Sequence, residues 1–219
     1  MNSPNPSTRL WLIRHGETDW NAAQRIQGRT DISLNATGEQ QAQCVAEYLS
    51  QHTIHAIYSS DLSRAIQTAS PLANRLGIKV CQDAAFAERD FGIFQGLTAD
   101  EIAKAYPTDY DRWQSREPAF APAGGESLSL FQARVEAAIA GLVQQHSGDS
   151  VAVVTHGGFL DMVYRLGFGL PMEQARDWKI PNAGIQEAIA SSTKIDILCW
   201  AMVAHLDPLA VRDEVRGFS

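Results

Sequence analysis

The sequence predicts an α/β protein, a three-layer α/β/α sandwich built on a mostly parallel central sheet. Three observations predict it. Short apolar runs break off abruptly at glycine-bearing loops, as buried parallel strands do at their ends. Amphipathic stretches of helical period lie between the runs, giving the β-α-β rhythm of a parallel sheet. Two of the runs end in the same pair of residues, His-Gly.

The first run, Arg9 to Ile13, ends at His15-Gly16 and sets Arg14 and His15 at the carboxyl end of a strand. Gly38 to Leu49 carries Ala42, Val45, Ala46 and Leu49 at helical spacing, and Ile54 to Ser59 returns to strand composition. The pattern repeats. Leu62 to Leu76 aligns Ala65, Ala69, Leu72, Ala73 and Leu76 on one face, Gly77 is placed to end that helix, and Ile78 to Cys81 follows as a strand. Residues 86–125 are less periodic, rich in aromatics and interrupted by Pro107, Pro118 and Pro122. They are expected to form an excursion over the carboxyl edge of the sheet, where open α/β sheets hold ligands.

Ser127 to Gln144 resumes a helical stripe (Leu128, Phe131, Val135, Ile139, Leu142) with Ser127 as its cap. Val151 to Thr155 is a second buried strand and ends at His156-Gly157-Gly158. Gly184 to Ala190 and Ile195 to Val203 read as two late strands. One domain is expected over residues 9–206, between a flexible N-terminal segment, 1–8, and a loose charged tail, 207–219.

Composition narrows the function. The 219 residues suffice for one domain with a real core. A net charge of −7 with no clustered Lys/Arg run argues against a nucleic-acid binder, so attraction for an anionic substrate must be local. No apolar run approaches the ~20 residues that cross a bilayer, which gives no reason to expect a membrane partner. Cys44, Cys81 and Cys199 lie far apart in apolar surroundings and are read as buried free thiols. With a polar N-terminal segment unlike a secretion signal, they point to the cytoplasm.

Arg14-His15-Gly16 at a strand end has the means to attack phosphorus: an imidazole nucleophile, a guanidinium fork for phosphate oxygens, and a glycine that lets backbone approach closely. A loop histidine bonded to nearby backbone would read the same way. Arg64, opening the helix after Ser59-Ser60, brings a second guanidinium to the same edge, unless it is an ordinary solvated helix residue. His156 adds a donor from the second strand end, and Gly157 and Gly158 expose N–H groups at a helix start, a favourable anion site. Its alternative is a capping histidine.

Glu88, among Phe86, Phe91 and Phe94, is the candidate general acid, in surroundings that would raise a carboxyl pKa; the alternative is a surface carboxylate paired to Arg89. Phe91, Phe94, Trp113, Phe120 and Trp178 either line a pocket or pack in the core, and Trp20 shares that ambiguity. Asp161, one turn into the helix after His156, is an acid near a site meant for anions, with Arg165 at i+4 placed to neutralise it.

Arg14-His15-Gly16-Glu17-Thr18, followed by Asn21, Gln27-Gly28, Asp31 and Leu34, resembles the opening of the histidine phosphatase superfamily, phosphoglycerate mutase-like branch. Ser59 to Arg64, Glu88 to Gly96, Gly124-Gly125-Glu126-Ser127 and Thr155-His156-Gly157 follow in that family's order, and the likeness spans Leu10 to Val203. The resemblance implies that His15 is the phosphorylated histidine, that Arg14, Arg64 and His156 bind the phosphate, and that Glu88 donates the proton. Asn21 and Gly157 would add hydrogen bonds. It implies no cofactor and no metal, and the sequence shows no tight ligand spacing such as His-Glu-x-x-His.

Three functions remain to be separated. A phosphatase passes the phosphoryl group from His15 to water, a mutase returns it to the bound glycerate, and a phosphate-binding module does neither. The resembling mutases carry a longer insertion between acid and second histidine, with adjacent arginines for the glycerate carboxylate. Here that interval is shorter, and Arg112 and Arg116 stand apart. A module needing only affinity has no use for a nucleophile or an acid. The expectation is a phosphatase acting on a small phosphorylated metabolite, as a monomer or homodimer.

Overall fold

The computed structural model describes residues 7–207. Most of the expected terminal segments, 1–8 and 207–219, therefore lies outside the described residues. Thr8, placed in the flexible segment by sequence, instead opens the first strand and donates its hydroxyl to His146 O at 2.8 Å.

Six strands form one sheet: β1 (Thr8–Arg14), β2 (Ala56–Ser59), β3 (Val80–Gln82), β4 (Ser150–Thr155), β5 (Ile185–Ala190) and β6 (Ile195–Met202). Their order is β3-β2-β4-β1-β5-β6. β3, β2, β4 and β1 run parallel, β5 is antiparallel to β1, and β6 is antiparallel to β5. The helices are α1 (Asp19–Ala22), α2 (Ala36–Leu49), α3 (Ser63–Leu76), α4 (Ala99–Ala105), α5 (Pro107–Gln114), α6 (Leu128–Gln145) and α7 (Gly157–Phe168).

Two buried clusters divide the central strands by alternation. Leu10, Leu12, Val151 and Val153 face α6 and α7, whereas Trp11, Ile13, Ala152 and Val154 face α2 and α3. This is the expected three-layer sandwich. The caps follow local chemistry: Ser127 accepts from Leu130 N at the start of α6, and Gly77 ends α3 at φ +67°. The first residue of α3 is capped from a distance, since Asp31 accepts both Ser63 N and Ser63 Oγ at 2.7 Å.

The weakly periodic stretch 86–125 holds the 3-10 turn Gly92–Phe94, α4 and α5 around a third cluster of Phe91, Phe94, Ile102, Trp113 and Phe120, joined by Ile26. Four of the six aromatics left ambiguous by sequence therefore build this cluster. Trp178 stacks on Tyr164 at 4.2 Å beneath Arg165, and Trp20 lies against Gly96. The cysteines are free, but the expectation of burial fails: Cys81 and Cys199 are exposed and Cys44 is half-buried. Cys81 and Cys199 sit on β3 and β6, the two edge strands, where apolar neighbours in sequence do not make a covered site. Among the described residues no helix is long and apolar enough to cross a membrane.

Candidate active site

Strand order creates the site. β1 and β4 are adjacent parallel strands in register, Arg14 against Thr155, so the residues that follow them leave the sheet side by side. His15 N extends the ladder to Thr155 O at 2.9 Å, and the two imidazole centroids lie 5.1 Å apart. β2, the other neighbour of β4, ends beside them and delivers Ser60 and the start of α3, which carries Arg64.

His15 Nδ1 lies 2.7 Å from Gly16 O. A carbonyl only accepts, so Nδ1 holds the proton and Nε2 keeps its lone pair. Burial, then Arg64, then Arg14 hold the His15 pKa well below its ordinary value. The ring is thus neutral and basic at Nε2.

Both guanidiniums are fully buried and fixed by carbonyls. Arg14 Nη1 donates to Ile180 O at 2.6 Å; Arg64 donates to Thr30 O at 2.8 Å and to Gly28 O at 2.7 Å. Arg64 Nε also faces His156 Nδ1 at 3.3 Å, which makes that nitrogen the acceptor. His156 Nε2 therefore carries the proton and donates to Ser60 Oγ at 2.8 Å. Burial, Arg64, His15, Arg14 and Arg29 lower the His156 pKa as well.

Glu88 is buried, not on the surface. Its Oε1 accepts Arg89 N at 2.8 Å and its Oε2 accepts Gly158 N at 3.0 Å, on the first turn of α7. The Arg89 side chain turns to Glu126 O and Phe120 O. The α7 N-terminus is thus shared: Gly158 N holds Glu88, while Gly157 N has no acceptor among the described residues.

Asn21 Oδ1 accepts Thr18 N, Thr18 Oγ1 and Asn182 Nδ2 at 3.1, 3.0 and 3.3 Å, so the Asn21 amide presents its N–H side elsewhere. Asp161 points inward but is spoken for: Arg116 Nη2 and Arg165 Nε each donate to its Oδ2 at 2.9 Å.

All seven residues singled out by sequence reach the carboxyl end of β1, β2 and β4 or the elements resting on it. Sequence reasoning missed Ser60, Asn182 and Arg29. Asn182, 1% exposed, donates to His15 O at 3.1 Å and Gly16 O at 3.4 Å and so braces the loop that carries His15. Its one signal was a lone polar residue in the otherwise apolar approach to β5. Ser60 lies within Ser59 to Arg64, where nothing local marks His156 as its partner.

A buried neutral imidazole, two buried guanidiniums, a second imidazole and a carboxyl group at one sheet edge define a phosphoryl-transfer pocket of the histidine type. The chain belongs to the histidine phosphatase superfamily (branch 1), whose model matches residues 10–202. It is 38% identical over 209 residues to phosphoglycerate mutase-like protein 4 of Arabidopsis thaliana, covering 90% of this chain and 86% of that one. It is 37% identical over 215 residues to a metal-independent phosphoserine phosphatase of the same plant, covering 96% and 87%. Among solved structures, YhfR of Bacillus stearothermophilus aligns at a TM-score of 0.84 with 30% identity, over 91% of this chain and all of that one.

Proposed function

We propose that the protein is a metal-independent phosphomonoesterase that hydrolyses a small phosphorylated metabolite through a phosphohistidine on His15. The observation that carries this reading is the His15 ring itself, with Nδ1–H given to Gly16 O and Nε2 left basic among buried cations.

In the first step His15 Nε2 forms a bond to phosphorus while the bond from phosphorus to the ester oxygen breaks. Glu88, entering protonated, gives its proton to that oxygen and the alcohol leaves. In the second step Glu88, now a carboxylate, takes a proton from water as the water oxygen attacks phosphorus; the N–P bond breaks and inorganic phosphate departs. Arg14, Arg64 and His156 hold the transferring oxygens, with Asn21 and Gly157 as further donors. The second step restores the Glu88 proton and the free His15 ring that the first consumed, so water is the only co-reactant of the scheme.

Hydrolysis is favoured over return of the phosphoryl group because Arg112 and Arg116 do not form a carboxylate clamp. Arg112 is paired to Glu117 at the surface, at 2.7 Å, and Arg116 is committed to Asp161. The free thiols suit a cytoplasmic enzyme, acting as a monomer or homodimer.

Phosphate release from an aryl phosphate tests the reading. The purified protein should release phosphate with excess chelator present, and His15→Ala should not. Parent-like release by His15→Ala overturns the scheme, as does a chelator-induced loss restored by a divalent ion. Rapid isomerisation of 3-phosphoglycerate in the presence of 2,3-bisphosphoglycerate would assign a mutase instead.

A further inference from the structure

Four arginines lie on or against the loop that carries Glu88, and three are consumed by the protein. Arg89 serves Glu126 O and Phe120 O. Arg134 serves the Glu126 carboxylate and the carbonyls of Ala85, Ala87 and Glu88. Arg116 serves Asp161 and Met172 O.

Arg29 differs. Its backbone is pinned on both sides, because Arg64 donates to the carbonyls of Gly28 and Thr30, and its own N–H goes to Gln95 Oε1. Its Nε donates to the carbonyl of Glu88 at 3.0 Å. Nη1 and Nη2 have no acceptor among the described residues, and the side chain is only partly buried. Its charge also reaches His156, where it helps to keep that imidazole neutral. One end of the guanidinium is thus tied between the phosphate-binding Arg64 and the proton donor, and its outer N–H edge is open.

We propose that Arg29 is a specificity-determining residue that binds a second anionic group on the alcohol portion of the substrate, so that the preferred substrates are phosphomonoesters whose alcohol also carries a carboxylate or a further phosphoryl group. The proposal rests on the phosphatase reading above. That reading places the ester oxygen at the Glu88 carboxyl group. Arg29 is tethered to the backbone of the same residue, so a charged group a few bonds from that oxygen falls within reach of its Nη atoms. A guanidinium edge takes either anion through two parallel N–H bonds. Partial exposure keeps the empty site affordable, since the charge stays hydrated until substrate arrives.

The test compares kcat/KM for p-nitrophenyl phosphate, which has no second anion, with 3-phosphoglycerate and fructose 1,6-bisphosphate, in the parent, Arg29→Gln and Arg29→Lys. In Arg29→Gln, the ratio of kcat/KM for the carboxylated or bisphosphorylated ester to that for p-nitrophenyl phosphate should fall about 10- to 100-fold, largely through the KM of the anionic ester, on top of any loss common to all three. Arg29→Lys should recover part of the loss. Which of the two anionic esters suffers names the anion. Equal losses on all three would reduce Arg29 to a brace for Glu88 and overturn the proposal. So would no loss on any, or a parent that hydrolyses only the aryl ester. A parent that releases phosphate from none of the three defeats the phosphatase reading itself, a separate outcome.

Discussion

Gly158→Ala isolates the proposed acid without touching it. Gly158 is the second residue of α7, and its N–H holds Glu88 Oε2 at 3.0 Å. A Cβ at this position would stand 3.2 Å from Glu88 Cδ and 3.2 Å from the Phe131 ring, and far inside contact distance of Glu88 Oε1. The helix and Phe131 belong to the core, so the carboxyl end of Glu88 is the part that yields. A retreat of about 1 Å by a group that must meet a leaving oxygen is worth on the order of 100-fold in rate. Stability should move far less, because losing one N–H bond to the Glu88 carboxyl group, about 0.5–1.5 kcal/mol, is partly offset by up to about 1 kcal/mol of helix propensity. The assay is a leaving-group series. An alkyl phosphate needs its oxygen protonated, whereas 2,4-dinitrophenolate leaves unaided, so the variant should lose about 100-fold on the first and under about tenfold on the second. Equal slowing on both esters, or none on the alkyl ester, would refute the assignment of Glu88 as acid.

The other predictions concern charge. His15 and His156 have pKa values depressed below the ordinary 6.5 in the fold, so in the window beneath 6.5 the unfolded chain binds more protons. Their contribution to stability is complete above that value and is lost as pH falls below it; the melting temperature should drop between pH 7 and 5, and His156→Gln should make the drop shallower. Arg64→Gln removes a cation that lowers both imidazole pKa values, so the acid limb of the kcat/KM profile should move to higher pH as the rate falls; an unmoved limb would show that Arg64 does not set it. Asp161→Asn leaves Arg116 and Arg165 buried without their shared carboxylate and should cost about 3–5 kcal/mol by urea unfolding. A variant as stable as the parent would show that the pairing contributes nothing.

The layers were legible because each long element has one buried stripe. α2, α3 and α6 expose one face, and β1 and β4 are buried on both, so their apolar residues recur at 3.6 or run on continuously. α4 and α5 were not legible. At 7 and 8 residues they are too short to display a period, and much of what they pack on comes from outside them, including Ile26. The same division runs through the site. Arg14, His15 and His156 could be placed because strand ends are local features. The His156 tautomer could not, because it depends on bonds between distant residues, His156 with Ser60, 96 positions away, and with Arg64, 92 away. Arg29 was invisible for a related reason: nothing near it in sequence announces that Arg64 and Glu88 will close around it.

The net charge of −7 and an anion site are compatible because the two are felt at different depths. Exposed carboxylates act through water and salt and fade beyond about 8 Å, whereas Arg14 and Arg64 are fully buried, where screening is weak. The carbonyls of Ile180, Thr30 and Gly28 fix these guanidiniums without cancelling their charge, and burial first, then that charge, holds the pKa values of His15 and His156 down. The pocket therefore stores positive potential that its imidazoles cannot relieve by releasing protons, since both are already neutral. Under the proposed scheme an entering phosphate would supply the missing negative charge, and because the donors are fixed beforehand, it would meet a site that needs no reorganisation as charge shifts toward the transferring oxygens. In the proposed scheme the cations assigned to the phosphate also keep His15 Nε2 unprotonated, so recognition and nucleophile activation would come from a single arrangement of charge.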